Sequence, residues 1–387
     1  MNADVAIVGG GIMGCALAYW LTRFDPRIRV IVLERDPSYA TASSALSAAS
    51  IRQQFTTPVN IRISQASIAF LREAHELLQV EGSRPDIGLQ ERGYLYVATA
   101  SGLDALRRGH SIQADLGAEV KLLGKPELAA RFPWLERADL VAGSLGLSGE
   151  GWFDGYALLQ AFSSKARSQG VTYVRREVQG MVVKRGNIEA LRLDNGDHVS
   201  TDLVVNAAGP WARAVGRLAG IDLPVAARRR TVYVIGCRTR MEPFPLLVDP
   251  SGFWIRPEAS GFIAGITPGE DPDDAPLEPD YGAFESVLWP ALAHRVPAFE
   301  EAKLERAWAG YYEMNTFDHN GIVGFHPDVA NLVLMNGFSG HGLQQAPIVG
   351  RGVAELICHG RFLTVDLTDL SFARIQQGKP LLELNVI

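Results

Sequence analysis

The feature that most constrains this chain lies at its start. Asp4-Val5-Ala6-Ile7-Val8 is a β-branched apolar run that stops at Gly9-Gly10-Gly11-Ile12-Met13-Gly14, and helix formers with apolar recurrence follow from Cys15 to Arg23. A second apolar run, Arg29 to Leu33, ends in Glu34, twenty residues beyond Gly14. Strand, glycine turn, helix, strand and acid in this order specify a Rossmann-type βαβ unit for a dinucleotide. Gly9 turns the chain, Gly11 lets backbone approach a pyrophosphate, and Gly14 lets the helix pack closely on the strand. Ile12 and Met13 fall at the helix N-terminus, whose free N–H groups and partial positive charge face the phosphates. Glu34 is placed to accept hydrogen bonds from the adenosine ribose, which disfavours a 2′-phosphate; Arg35 next door weakens that exclusion. The unit by itself does not separate FAD from NAD.

A second turn of the same kind stands near the other end. Asn331 to Met335 reads as an apolar strand, followed by Asn336-Gly337-Phe338-Ser339-Gly340-His341-Gly342-Leu343 and a helix over Ala346 to Gly360. Its backbone N–H groups would face a negative flavin ring or ribityl chain, although a helix entry that merely needs positive φ reads the same way. Between the two, Thr201 to Trp211 forms a buried strand entering a small-residue turn at Ala208, Gly209 and Trp211, placed to pass under a cofactor. One dinucleotide would then bridge both ends of the chain.

At 387 residues the chain exceeds a single core, which stops growing near ~250 to 300 residues, so two lobes are expected. Hydrophobic residues at 47% and charged residues at 21% describe a folded globular protein. A net charge of -6, with no long basic run, argues against nucleic acid. Cys15, Cys237 and Cys358 are too scattered for a metal site or a disulfide framework, so no metal is expected and a reducing compartment is. The apolar run Val5 to Gly11 lacks the basic flank of a signal peptide and the length of a membrane span, so the expectation is a cytoplasmic protein without a transmembrane segment.

GGGIMG, the NAAGPWA stretch, WAGYY at Trp308 to Tyr312 and GFSGHG together resemble the D-amino-acid oxidase-like family of FAD oxidoreductases. Ser50-Ile51-Arg52-Gln53-Gln54-Phe55 and Gly310-Tyr311-Tyr312 look most like sarcosine oxidase β subunits, dye-linked L-proline dehydrogenases and the mitochondrial FAD-dependent oxidoreductase-domain proteins. The resemblance implies an α/β fold with mixed α+β character. A discontinuous Rossmann-type FAD domain would comprise residues 1–88, 150–220 and 320–387, and a second, antiparallel-sheet substrate domain would comprise 89–149 and 221–319. It also places Ser43, Ser44, Ala49 and Val178 against FAD, beside the turn residues already named.

For the substrate, the resemblance makes Arg52 the anchor of a carboxylate, a task suited to a planar guanidinium fork. Tyr312 and Trp254 would line the pocket, with His319 as a further candidate, and His341 would stand by the flavin near N1. Gln344 replaces a carboxylate-binding Lys of monomeric sarcosine oxidase, which leaves the acid group unspecified. Gly310 replaces the cysteine that attaches FAD there, implying non-covalent cofactor. Ile263 replaces its oxygen-activating Lys, favouring a dehydrogenase over an oxidase. The implied activity is oxidation of a small amino acid or secondary amine, by hydride transfer to flavin N5, to an imine that hydrolyses. The electron acceptor would be oxygen, a quinone or a partner subunit. A 2-hydroxy acid dehydrogenase, and a flavin-binding assembly or carrier subunit, are the alternatives. Gly269 to Pro279, acidic and proline-rich, is either a rim loop over the site or a solvated connector.

Overall fold

The computed structural model describes residues 1–384; residues 385–387, which the sequence assigns to the first lobe, lie outside the described residues. Asn2–Val8 pairs in parallel with Val30–Glu34 on one side and His198–Asn206 on the other. Thr172–Arg175 extends this sheet beyond Val30–Glu34, and Leu332–Asn336 extends it beyond His198–Asn206, both in parallel. Antiparallel Ile322–Phe325 closes one edge, and the hairpin Val178–Lys184/Asn187–Leu193 is folded against His198–Asn206. The strands of the parallel core are near-continuously apolar because helices cover them, which is why periodicity in the sequence is faint there.

Two helices fix the geometry of that sheet's working edge. Ile12–Phe24 follows the first strand and is buried along most of its length; Gly342–His359 follows the last parallel strand. The two cross at Gly350, where a Cβ would lie 2.9 Å from Ala16, and Trp20 Nε1 donates to Pro347 O at 2.8 Å. The second helix starts four residues earlier than the sequence suggests. Pro347 and the glycines argue for a later start, but His341 already takes helical backbone angles. That extra turn is what reaches the cavity described below.

The second sheet runs in the order Lys303–Asn315, Val225–Gly236, Gly261–Ile266, Phe253–Glu258, Leu246–Val248, Tyr94–Thr99, Leu140–Gly146, Val120–Gly124. It is antiparallel except at one junction, where Leu246–Val248 meets Tyr94–Thr99 in parallel. That junction joins two separate excursions of the chain, so no hairpin dictates its direction. One face packs on a core of Phe244, Phe253, Phe262, Phe299 and the helix Trp289–Arg295. A two-stranded ribbon, Ser50–Ile51 with Gly151–Trp152, ties the segment before Arg52 to the segment after Glu150. Among the described residues, no helix is long and apolar enough to cross a membrane, and no cluster of side chains is arranged for a metal ion.

Candidate active site

A cavity of about 350 Å³ opens between the two sheets, and both glycine turns line it. Gly9, Gly11, Ile12 and Met13 come from the first, Gly340, His341, Gly342 and Leu343 from the second. They sit side by side: a Cβ on Gly342 would meet Met13 Cε at 3.5 Å. Neither following helix is capped by its own N-cap side chain, so both present polar N-termini toward the same space. Gly14 lies beneath the lining, where a Cβ would come within 2.0 Å of Gly9 O; only glycine allows the helix this close to its strand. Gly340 takes φ +89°, and a Cβ there would run into the Tyr312 ring at 2.4 Å.

One end of the cavity is polar and partly open. Glu34 Oε2 accepts from Gly10 N at 2.7 Å and Oε1 accepts from Asp36 N at 2.8 Å, which holds the carboxylate at the turn. Arg35 stacks over Trp211, 3.9 Å from the ring centroid, and pairs with Glu177, so its charge is spent on that wall. Ser44 Oγ accepts from Ile12 N at 3.1 Å, and Ser43 Oγ donates to Tyr311 O at 2.6 Å, stapling this rim to the second sheet. Ala49, Val178, Ala208, Gly209 and Gly310 also line the cavity.

The other end is built around Arg52, which is only 1% exposed. Its Nη1 donates to Gln54 O at 2.6 Å, and Nη2 lies 3.0 Å from His341 Nε2. A guanidinium only donates, so His341 accepts through Nε2 in this contact. The guanidinium also stands 4.2 Å over the Phe55 ring. Gln344 Oε1 accepts from Arg52 N at 2.9 Å, so this side chain fixes the backbone of the arginine. Tyr312 and Trp254 line the same space. Burial pushes the Tyr312 phenol above its usual range, against the pull of Arg230 and Arg52.

Phe338 and Ser339 do not line the cavity; they shape the turn from below. Ser339 Oγ accepts from Asn315 N at 3.0 Å, and Phe338 is buried in the core. His319 also lies outside the lining, in a turn of positive φ after the strand Lys303–Asn315. That turn is pulled away from the cavity by Asn315 and Asp318, the latter bound by Arg374. Ile263 is buried and pairs with Val234 and Arg256, off the cavity wall.

Three charged residues escaped the sequence reading. Glu150, 1% exposed, accepts from Gln53 N and Gln54 N through Oε1 and from Gln54 Nε2 through Oε2, so it organises the loop whose carbonyl holds Arg52. Burial raises its carboxyl to about 7. Glu313 lines the cavity beneath the second turn, accepts from Gly337 N at 3.2 Å, and is raised by burial to about 8. Arg230 lines the cavity beside Tyr312. None of the three carried a sequence signal: Glu313 is one of two glutamates in the strand Lys303–Asn315, and all three take their roles from contacts between distant segments.

Comparison with known proteins agrees with this geometry. The family model described as FAD dependent oxidoreductase (DAO) matches residues 4–356. The chain belongs to this FAD-dependent oxidoreductase family. It is 43% identical over 424 aligned residues to FAD-dependent oxidoreductase domain-containing protein 1 of Xenopus laevis, covering 100% of this chain and 85% of the relative. L-proline dehydrogenase of P. horikoshii superposes with a TM-score of 0.87 at 25% identity, covering 98% of this chain and 99% of that one. Glycine oxidase of Geobacillus kaustophilus does so with a TM-score of 0.81 at 26% identity, covering 96% and 98%. The residues present fit the cofactor of the DAO family. Two helix N-termini favour negative charge where a pyrophosphate and a reduced flavin would carry it, and an acid stands at the ribose end. Among the described residues no cysteine lines the cavity; Cys15 is buried in the first helix, with Sγ donating to Gly10 O.

Proposed function

We propose that the chain oxidises a small amino acid or secondary amine at its α C–H and passes the electrons to an acceptor other than oxygen. The observation that carries this reading is Arg52: a buried guanidinium, held by Gln54 O and His341, in the cavity lined by both glycine turns. In this reading the FAD lobe comprises residues 1–88, 150–220 and the chain from 320 onward, and 89–149 with 221–319 supply the substrate side.

FAD, when bound, supplies the two-electron chemistry by accepting a hydride from the α carbon. The protein's own residues bind, orient and exclude water. The Gly9–Gly14 turn and Glu34 hold the adenosine diphosphate end, and the Gly340–Leu343 turn offers N–H groups where negative charge develops. Arg52 takes the substrate carboxylate, and Gln344 keeps its backbone from shifting. Tyr312 and Trp254 wall the amine in, with Trp254 lying across Gly265, where a Cβ would be 2.7 Å from Trp254 Nε1. The neutral amine loses hydride, the resulting iminium loses a proton, and water hydrolyses the imine outside the closed site. Ile263 lies off the cavity wall, so the choice of an acceptor other than oxygen rests on the sequence resemblance at that position and not on the cavity.

The test is anaerobic bleaching of the flavin by sarcosine, proline, glycine, D-amino acids and opines, followed by admission of air. An amine should bleach the flavin, and air should restore its colour slowly. Full reduction by a 2-hydroxy acid and by no amine would replace this reading with an alcohol dehydrogenase. Arg52→Met should raise KM and lower kcat/KM by roughly 30- to 100-fold, the worth of a charge-assisted pair, with FAD still bound. An unchanged kcat/KM would remove Arg52 as the anchor.

A further inference from the structure

The long strand Val225–Gly236 carries three consecutive arginines, and the mechanism above uses none of them. Arg228 stands opposite Tyr312 and Arg230 opposite Gly310, so these two share the face that looks toward the cavity. Arg229 points the other way and donates to Glu278 O. Arg230 is the one that lines the cavity, with 14% of its side chain exposed. Its guanidinium lies 5.1 Å from the centroid of the Tyr312 ring.

Arg230 is engaged by a carboxylate. Nη1 and Nη2 donate to the two oxygens of Asp271 at 2.6 and 3.0 Å, the parallel fork that guanidinium and carboxylate form best. Asp271 sits in the acidic loop 269–279, four residues after Thr267, itself a lining residue. The loop does not depend on this pair for its place. Arg228 bonds Asp273 at 2.8 Å, Asp274 N donates to Ala227 O at 2.9 Å, and Tyr311 Oη donates to Ala275 O at 2.6 Å. A third of the Asp271 side chain is exposed and its Oδ2 also lies 4.0 Å from Arg228 Nη1, so the carboxylate can be reached from solvent, which screens part of its pairing. A bidentate arginine on the cavity wall, occupied by a part-exposed carboxylate whose loop is tied down elsewhere, has the form of a carboxylate site filled by an internal ligand. Arg52, Tyr312 and Arg230 all line this one cavity, so a single small ligand there has both guanidiniums on its walls.

We propose that Arg230 is a second carboxylate-binding residue and that the amine oxidised here carries two acid groups. One acid is held by Arg52; the other displaces Asp271 from Arg230, beside the Tyr312 ring. The proposal rests on Arg52 being the anchor for the first carboxylate. It names the substrate class left open by the loss of a lysine at Gln344: a secondary amine dicarboxylate rather than a simple N-alkyl glycine.

Binding of two sulfur analogues that cannot be oxidised as amines tests this without turnover. Thiodiacetate carries two carboxylates and (methylthio)acetate one; titration calorimetry of the FAD-loaded protein gives both affinities. Thiodiacetate should bind about tenfold tighter, as expected for one added charge-assisted pair. Arg230→Met should abolish that preference, and Asp271→Asn, which leaves Arg230 in place and removes its competitor, should widen it. A wild-type preference that survives Arg230→Met, no preference at all, or a preference that Asp271→Asn leaves unchanged would make Arg230 a loop anchor and leave Arg52 standing. If neither analogue binds, or if (methylthio)acetate binds Arg52→Met as well as wild type, the Arg52 reading falls and this proposal falls with it.

Discussion

Glu313 and Glu150 are carboxyls that burial lifts far above their solution behaviour, and both rise for one reason. Each carboxyl is taken out of water, and the N–H groups that reach it offset only part of the lost hydration. The folded state therefore holds these protons more tightly than the unfolded chain does. A carboxyl raised in this way contributes stability that is fully present below the unfolded value of 4.5 and is lost as pH rises through the folded value, about 8 for Glu313 and about 7 for Glu150. The melting temperature should therefore fall by roughly 3 to 6 °C between pH 5 and pH 8. Glu313→Gln, which keeps an acceptor for Gly337 N but has no proton to lose, should flatten most of that slope. A slope identical in wild type and variant, measured by calorimetry in the same buffers, would mean that Glu313 is ionised in the folded protein at neutral pH. The sequence offered little warning. An isolated Glu in a strand looks the same whether it faces water or a cavity, and burial of this one is decided by the turn Gly337–Gly340 packing over it from far along the chain.

At the scale of elements, the site depends on two helices meeting closely enough for their N-termini to share a cavity. Gly350 makes that approach possible, since any Cβ would press on the Ala16 backbone at 2.9 Å and not on a flexible side-chain tip. Gly350→Val should therefore force the helices apart, cost about 1 to 3 kcal/mol by overpacking, and weaken FAD binding more than a surface change of equal destabilisation. Matching the variant against such a surface control, with flavin affinity measured for both, checks the claim; equal losses would reduce Gly350 to ordinary packing. These helices and their turns were legible in the sequence because each strand, turn and helix entry is coded locally by apolar recurrence and glycine, and the first is followed twenty residues on by an acid. Arg52, Tyr312, Trp254 and His341, named from resemblance, do come together in one cavity, whereas His319 does not, because the turn that carries it is drawn off by Asp318 and Arg374. The parallel junction between Leu246–Val248 and Tyr94–Thr99 left no local trace, because it pairs strands from separate excursions of the chain. Arg230 was unreadable for the same kind of reason: three arginines in a row look like a solvated edge until the strand register turns one of them inward.

For the whole molecule, FAD bound as proposed would tie together segments more than three hundred residues apart in sequence, the Gly9–Gly14 turn and the Gly340–Leu343 turn that line one cavity. A ligand that binds only the folded state stabilises it by mass action, by about 2.7 kcal/mol at a hundredfold excess over Kd. A ligand that grips two segments at once gains further, because the second contact is intramolecular once the first is made. The two ends of the cofactor can be offered separately. In the proposed binding mode ADP would reach the turn with Glu34, and FMN the turn with Gly340 and His341. With no cysteine in the cavity, FAD should be removable by chaotrope dialysis, and the apoprotein should melt several degrees lower. Returned FAD should restore the loss, whereas ADP and FMN, added singly or together at the same concentrations, should recover much less than half of it. That deficit measures the covalent link between the two halves of the ligand, and it exists only if both turns hold one molecule. Equal recovery with FMN alone would mean that the Gly9–Gly14 turn contributes no grip, and full recovery with ADP alone would free the second turn of any flavin. A flavin that stays with the denatured protein would show instead that attachment is covalent, through a side chain other than cysteine.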